Sequence, residues 1–208
     1  MIGKSPQTDF AESKIPRIDP SAYVFEQSAV IGDVFLGKRV LVAPFASVRG
    51  DEGQRIYIDD KSNIQDGVII HALESKKHGK TIAKNLVTDP YHKQCAVYVG
   101  KRVSLAHQAE VHGPAYIGDN TFIGMQSMVF KSRIGKNCVI EPKSLVLDVT
   151  IPDQRYVPAG TILKDQKLAD QLPKINADYI FKDLNQAVVH VNTSLADGYN
   201  LLDKRESL

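Results

Sequence analysis

Apolar residues recur along most of this chain at an interval of six. Val24, Val30, Leu36, Val42 and Val48 keep that spacing without a miss, and Ile58, Ile64 and Ile70 resume it. Val99, Leu105, Val111, Ile117, Ile123 and Val129 extend it. Ile134, Ile140 and Val146 follow after a slip of one residue, and Ile151, Val157 and Leu163 after another. Four residues beyond each apolar position the side chain is small or β-branched, as at Ser28, Val34, Val40, Ala46, Val103 and Cys138. An amphipathic helix needs a period near 3.6 and a half-buried strand a period of 2. The observed period fits neither. It fits a solenoid of short strands and tight corners, three hexapeptides to a coil and roughly six coils in all. Glycine often follows the apolar residue, at Gly37, Gly100, Gly118, Gly124 and Gly135, where a corner favours a residue without Cβ.

Two breaks interrupt the repeat. One is short, from Arg49 to Tyr57; the other, about 72–96, is rich in Lys and polar residues and reads as a loop thrown out from one coil. Loops of that length are usually functional or disordered. Near the C-terminus the period changes: Ile180, Leu184, Val188, Val191, Leu195 and Tyr199 recur three or four apart. That spacing predicts an amphipathic helix over about 175–203, capped by Asn176 and packed along the solenoid, with Pro173 at its boundary. The chain therefore divides into a mainly β solenoid with an N-terminal extension, residues 1–170, and a C-terminal helix, residues 171–208.

Lys+Arg 26 against Asp+Glu 24 leaves the charge nearly balanced, and no basic run or basic–aromatic stripe suggests a nucleic-acid partner. No apolar stretch approaches the roughly 20 residues that cross a bilayer, and the polar N-terminus does not read as a signal peptide, so no membrane partner is expected. Cys95 and Cys138 are too few and too isolated for a disulfide framework or a Cys-based zinc site, which makes a reduced, cytoplasmic compartment the default. Cys138 occupies an inward small slot and reads as core.

The place of the histidines in the repeat matters more than their number. Grouped into coils, the hexads run 36/42/48, 58/64/70 and 99/105/111, so His71 and His112 each follow the third apolar residue of a coil. If the 72–96 loop returns in phase, the two imidazoles stack on one edge about 4.8 Å apart, close enough to share an ion. Arg49 falls on that edge one coil earlier. His107 lies in the preceding hexad, on another face. A near-extended run from His107 to His112 covers on the order of 16 Å, too far for one chain to close a three-His site easily, whereas a symmetric trimer could bring a neighbour's His107 against the His71/His112 edge. Three imidazoles with one open position make the ligand set of catalytic zinc. The bulge Arg49-Gly50-Asp51-Glu52-Gly53 adjoins that edge. Asn63, Gln65 and Asp66 lie in the middle hexad, where a subunit interface would run, and Glu74 sits at the root of the long loop. His78 and His92 read as solvated loop residues, and His190 as part of the helix packing.

Arg49-Gly50-Asp51, Glu52, Asn63-Ile64-Gln65-Asp66, His71 and the His107…His112 pair resemble, in order and spacing, the γ-class carbonic anhydrases. The resemblance covers roughly residues 16–165. The longer loop, the N-terminal extension and the tail around 175–186 look more particularly like the anhydrase-like N-terminal domain of cyanobacterial carboxysome assembly proteins. It implies a left-handed parallel β-helix, an exception to the right-handed crossover preference. It also implies a homotrimer in the cytoplasm or carboxysome, with shell and Rubisco-associated proteins as partners. His71, His107 and His112 would hold Zn2+, with Fe2+ or Co2+ as alternatives, for the reversible hydration of CO2 to bicarbonate. Glu52 would accept the proton and meet bicarbonate, Gln65 would orient the nucleophile, and Glu74 would shuttle the proton outward. Arg49 and Asp51 would pair beside the interface and help hold the anion, with Asn63 and Asp66 in supporting places. Two other readings stay open: an acyltransferase, since many use this solenoid with a general-base His, and a carboxysome scaffold that keeps the ligands with little or no catalysis.

Overall fold

The computed structural model describes residues 1–206. Its body is a three-sided parallel β-helix whose faces are sheets of eight, seven and seven strands. The eight-stranded face comprises Ile2–Gly3, Ala29–Gly32, Ser47–Gly50, Ile69–Ala72, Glu110–Gly113, Met128–Phe130, Leu145–Leu147 and Ile162–Leu163. A second face runs from Arg17–Ile18 to Thr150–Ile151, and a third from Tyr23–Val24 to Tyr156–Val157. Register follows the repeat: Val30, Val48, Ile70, Val111, Val129, Val146 and Leu163 pair rung on rung down the first face. All of them are buried, so one apolar column fills each corner of the core. The rungs outnumber the six coils expected, because Ile2–Gly3 and Arg17–Ile18 extend the stack from a segment that lacks the period.

The corner glycines serve a different purpose from the one the sequence suggests. Gly37, Gly100, Gly118 and Gly135 are absent from the left-handed region; that conformation falls two residues later, on Arg39, Arg102, Asn120 and Asn137, with φ of 54, 58, 57 and 55°. Glycine is needed because a Cβ at Gly100 would lie 2.6 Å from Asp119 Oδ1, and one at Gly118 2.6 Å from the Gly135 carbonyl carbon. Close approach of successive rungs, not φ, excludes a side chain there.

The 72–96 excursion is ordered. Two small hairpins, Lys76–Lys77 with Lys80–Thr81 and Val87–Thr88 with Gln94–Cys95, flank a 3-10 turn at Ala83–Asn85. The excursion packs on an aromatic ladder down the second face, where Phe35, Tyr57, Tyr98 and Tyr116 succeed one another at centroid distances of 4.5, 5.8 and 4.9 Å. Tyr91 from the excursion and Tyr98 from the ladder both donate to Asp59 Oδ2, at 3.0 and 3.1 Å.

Helix α1, Gln166–Asp170, is capped by Asp165, whose side chain accepts from Lys167 and Leu168 N–H. Its Ala169, with Leu172, closes the end of the core. Helix α2, Leu184–Glu206, lies along the third face. It begins later than the expected 175, because Lys174 is bridged to Arg155 and Ile175 N–H donates to Gln154 O, holding that stretch extended on the last coil. Asn176 accordingly accepts from Asp178 N–H in a turn and caps no helix. The buried side of α2 is Asn185, Val189, Thr193 and Ala196, whereas Val191 and Leu195 of the expected apolar stripe are 53% and 42% exposed. The polar choice has a partner: Asn185 Nδ2 donates to Arg102 O and Asn120 Oδ1, and Asn200 Nδ2 to Ser21 O, all corner atoms of the solenoid.

Burial, reinforced by the Asp59 carboxylate, pushes the Tyr57 hydroxyl up to about 12 and drives Tyr98 in the same direction. In the unfolded chain these phenols ionise near the ordinary tyrosine value of 10.0. Between those limits unfolding releases protons, so native stability is full below pH ~10 and falls as pH rises toward ~12. Urea unfolding at about pH 9 and about pH 11 checks this: the midpoint drops at the higher pH in wild type and drops less in Tyr57→Phe.

Candidate metal centre

Alternation along a strand decides which side chains reach the outside of the first face. In Ile69–Ala72, Ile70 and Ala72 point into the core and His71 outward; in Glu110–Gly113, Val111 and Gly113 point inward and His112 outward. His71 pairs directly with His112 across the two strands. Their rings meet edge to face, centroids 5.6 Å apart. The loop therefore does return in phase.

The bulge after Ser47–Gly50 brings two carboxylates against His71. His71 Nε2 lies 3.1 Å from Asp51 Oδ1 and 3.4 Å from Glu52 Oε1. Arg49 Nε donates to Asp51 Oδ2 at 3.1 Å, so Asp51 bridges a guanidinium and an imidazole. Arg49, Asp51, Glu52, His71 and His112 thus form one group.

Asn63, Gln65, Asp66 and His107 lie instead at the corner of the third face. His107, with 58% of its side chain exposed, has Nδ1 at 3.0 Å from Asp66 Oδ2. Gln65 is buried, and its Nε2 donates to Asn63 Oδ1 at 3.0 Å; Asn63 Nδ2 donates in turn to Ser104 Oγ at 2.9 Å. Gln65, Asp66 and His107 line an open groove whose far wall is Val188, Val191 and Leu195 of α2. Glu74 stands at the loop root, where its backbone carbonyl accepts from Asn85 Nδ2 at 2.7 Å.

Within a single chain, among the described residues, no three His, Cys, Asp or Glu side chains converge as a cation site. The donor chemistry of His112 and His107 nonetheless suits a divalent cation. His112 Nδ1 lies 3.1 Å from Gly113 O, and His107 Nδ1 has its carboxylate partner. An imidazole that donates from Nδ1 keeps its lone pair on Nε2, the arrangement in which metal-binding histidines are held by an outer layer of acceptors. His71 differs, since a cation would compete with Asp51 for its Nε2.

Two serines add to this arrangement: Ser104 accepts from Asn63, and buried Ser75 donates to Glu52 O from its N–H and its hydroxyl. Ser104 was within reach of the sequence, because it precedes Leu105 as Asn63 precedes Ile64 and so pairs with it across the rungs. Ser75 lies in the non-periodic excursion and left no such signal.

No family model matches the chain. It is 52% identical over 200 residues to a carbonic anhydrase of Methanosarcina thermophila, covering 95% of this chain and 81% of that protein. It is 41% identical over 183 residues to the carboxysome assembly protein CcmM of Nostoc sp., covering 88% of this chain but 31% of that protein. Among solved structures, a putative acetyltransferase of Bacillus cereus superimposes with a TM-score of 0.71 at 19% identity, over 96% of this chain and 98% of that one. At that identity the last likeness shows the fold alone.

Ser104, Asn63 and Gln65 are buried, and the side chains of Ser104 and Gln65 both bond to Asn63, so Asn63→Ala removes both of these bonds. The expected cost is about 1–3 kcal/mol, read from urea unfolding; a loss below about 0.5 kcal/mol, the scale of an ordinary surface substitution, contradicts it.

Proposed function

The chain belongs to the γ-class carbonic anhydrase family, and from that premise we propose that it catalyses reversible hydration of CO2 to bicarbonate as a homotrimer. The observation that carries the reading is the placement of His71 over His112 with His107 turned to a different face. Each site takes His71 and His112 from one protomer and His107 from the adjoining one. The cation is Zn2+, with Fe2+ or Co2+ compatible with the same imidazoles. When bound, it supplies Lewis acidity that makes hydroxide available near neutral pH.

The protein's own groups do the rest. His112 and His107 keep Nε2 free by donating from Nδ1 to Gly113 O and Asp66 Oδ2. Gln65, its amide fixed by Asn63, orients the attacking oxygen across the interface. Glu52, its Oε1 beside His71, accepts the proton that hydration releases and then hydrogen-bonds bicarbonate. Glu74 passes the proton to solvent. Arg49, turned by Asp51, offers its remaining N–H groups to the anion.

The likeness to CcmM supports a second reading, a cytoplasmic domain that works in or for the carboxysome. There the same site binds bicarbonate while other faces meet shell or Rubisco-associated proteins, with little catalysis of its own. Because the chain spans about a third of that relative, such partners are proposed from the matching domain alone.

Metal analysis and stopped-flow CO2 hydration of the Zn2+-loaded protein separate the two. The hydration reading predicts one cation per chain, lost in His107→Ala. It also predicts that Glu52→Ala keeps the cation while turnover falls about 10²- to 10⁴-fold. Unchanged turnover in Glu52→Ala removes that residue from the mechanism, and a loaded wild type no faster than buffer leaves only the scaffold.

A further inference from the structure

Two excursions that carry carboxylates, the Gly50–Gln54 bulge and the root of the 72–96 loop, are joined through Ser75. This residue is 0% exposed. Its N–H donates to Glu52 O at 2.9 Å, and its hydroxyl donates to the same oxygen at 3.3 Å while accepting from Gln54 N–H at 2.6 Å. Its carbonyl accepts from Ile82 N–H, which ties it to the hairpin. Asn85, also buried, holds the carbonyl of the preceding residue, Glu74. Within the repeat, buried Ser62, Ser127 and Ser144 bridge successive rungs of the solenoid by donating to Gly100 O, Glu141 O and Pro158 O. Ser75 instead bridges two segments outside the repeat.

The bulge is shaped around that hydroxyl. Gly53 has φ of +115°, and a Cβ there would come within 2.1 Å of Ser75 Oγ and 3.1 Å of Phe10 O. The N-terminal extension closes the other side through Lys14, which pairs with buried Asp33; Arg55, just after the bulge, pairs with the same carboxylate. The backbone of Glu52 is thereby fixed from two directions while its side chain reaches His71.

We propose that Ser75 is a positioning residue, setting the Glu52 carboxylate against His71 and Glu74 at a fixed reach from it. The inference rests on the hydration reading above. In that reading one proton leaves the site per turnover, passing from Glu52 to Glu74 and then to buffer, and no bond to carbon depends on Ser75. Loss of the hydroxyl therefore slows proton release and spares CO2 capture.

The test compares Zn2+-loaded wild type, Ser75→Ala, Glu74→Ala and the double variant by stopped-flow hydration at low and high imidazole concentration. In Ser75→Ala at low buffer, kcat falls about 3- to 10-fold, kcat/KM stays within about twofold, and high imidazole restores most of the loss. The double variant is no slower than Glu74→Ala, because both changes act on one path. In the metal-free protein, hydrogen exchange at the Gln54 amide speeds up in Ser75→Ala and returns toward wild type in Ser75→Thr. If Ser75→Ala does not fold, Asn85→Ala frees the Glu74 carbonyl and shows the same kinetic split. Parallel loss of kcat and kcat/KM, additivity in the double variant, or unchanged kinetics and exchange overturns the role of Ser75. A loaded wild type without activity overturns the hydration reading itself, and the inference with it.

Discussion

Parallel pairing of Ile69–Ala72 with Glu110–Gly113 is the constraint on which the site depends. It sets Ile70 over Val111 in the core and His71 over His112 outside. A slip of one residue in either strand would exchange those roles, burying an imidazole and exposing an apolar side chain. The apolar columns above and below forbid the slip, because Val48 and Val129 continue the same corner without a gap. Core packing thus fixes a geometry that lies on the surface. The 72–96 excursion can be large without disturbing it, since both of its ends are anchored in rungs already in phase.

That is also why so much of the arrangement could be read from spacing. A period of six assigns every residue to a face, and the alignment of His71 with His112 and the isolation of His107 follow from it. What stayed hidden lies where contacts, not period, decide. Ile2–Gly3 and Arg17–Ile18 are strands only because an exposed sheet edge accepts them. The excursion takes its form from the tyrosine ladder it covers, which its own sequence does not announce. Helix α2 turns Asn185 and Asn200 toward the solenoid because corner carbonyls and an amide oxygen await them there, against the preference of its apolar stripe. At the site, the grouping of Arg49, Asp51 and Glu52 around His71 was legible from their shared edge, whereas the stitch through Ser75 was not.

The two groups of candidate residues have different mechanical support. Asn63, Gln65 and Ser104 sit within the solenoid and share its rigidity through buried, paired amides. Asp51, Glu52 and Glu74 sit on excursions, where Ser75 holds the Glu52 carbonyl, Asn85 holds the Glu74 carbonyl and the Lys14–Asp33–Arg55 cluster stands alongside. Rigid parts suit the orientation of an attacking oxygen, and excursions suit groups that exchange protons with solvent. In the proposed trimer the two kinds of support meet across each interface.

The central claim, that each site draws two imidazoles from one chain and the third from its neighbour, is tested most directly by complementation. His107→Ala and His112→Ala chains, each unable to hold Zn2+ alone, are dissociated together and reassembled, and bound Zn2+ is measured. Shared sites predict that mixed oligomers regain Zn2+ wherever an intact His71/His112 edge meets an intact His107. A mixture that binds no more metal than its parents contradicts the account.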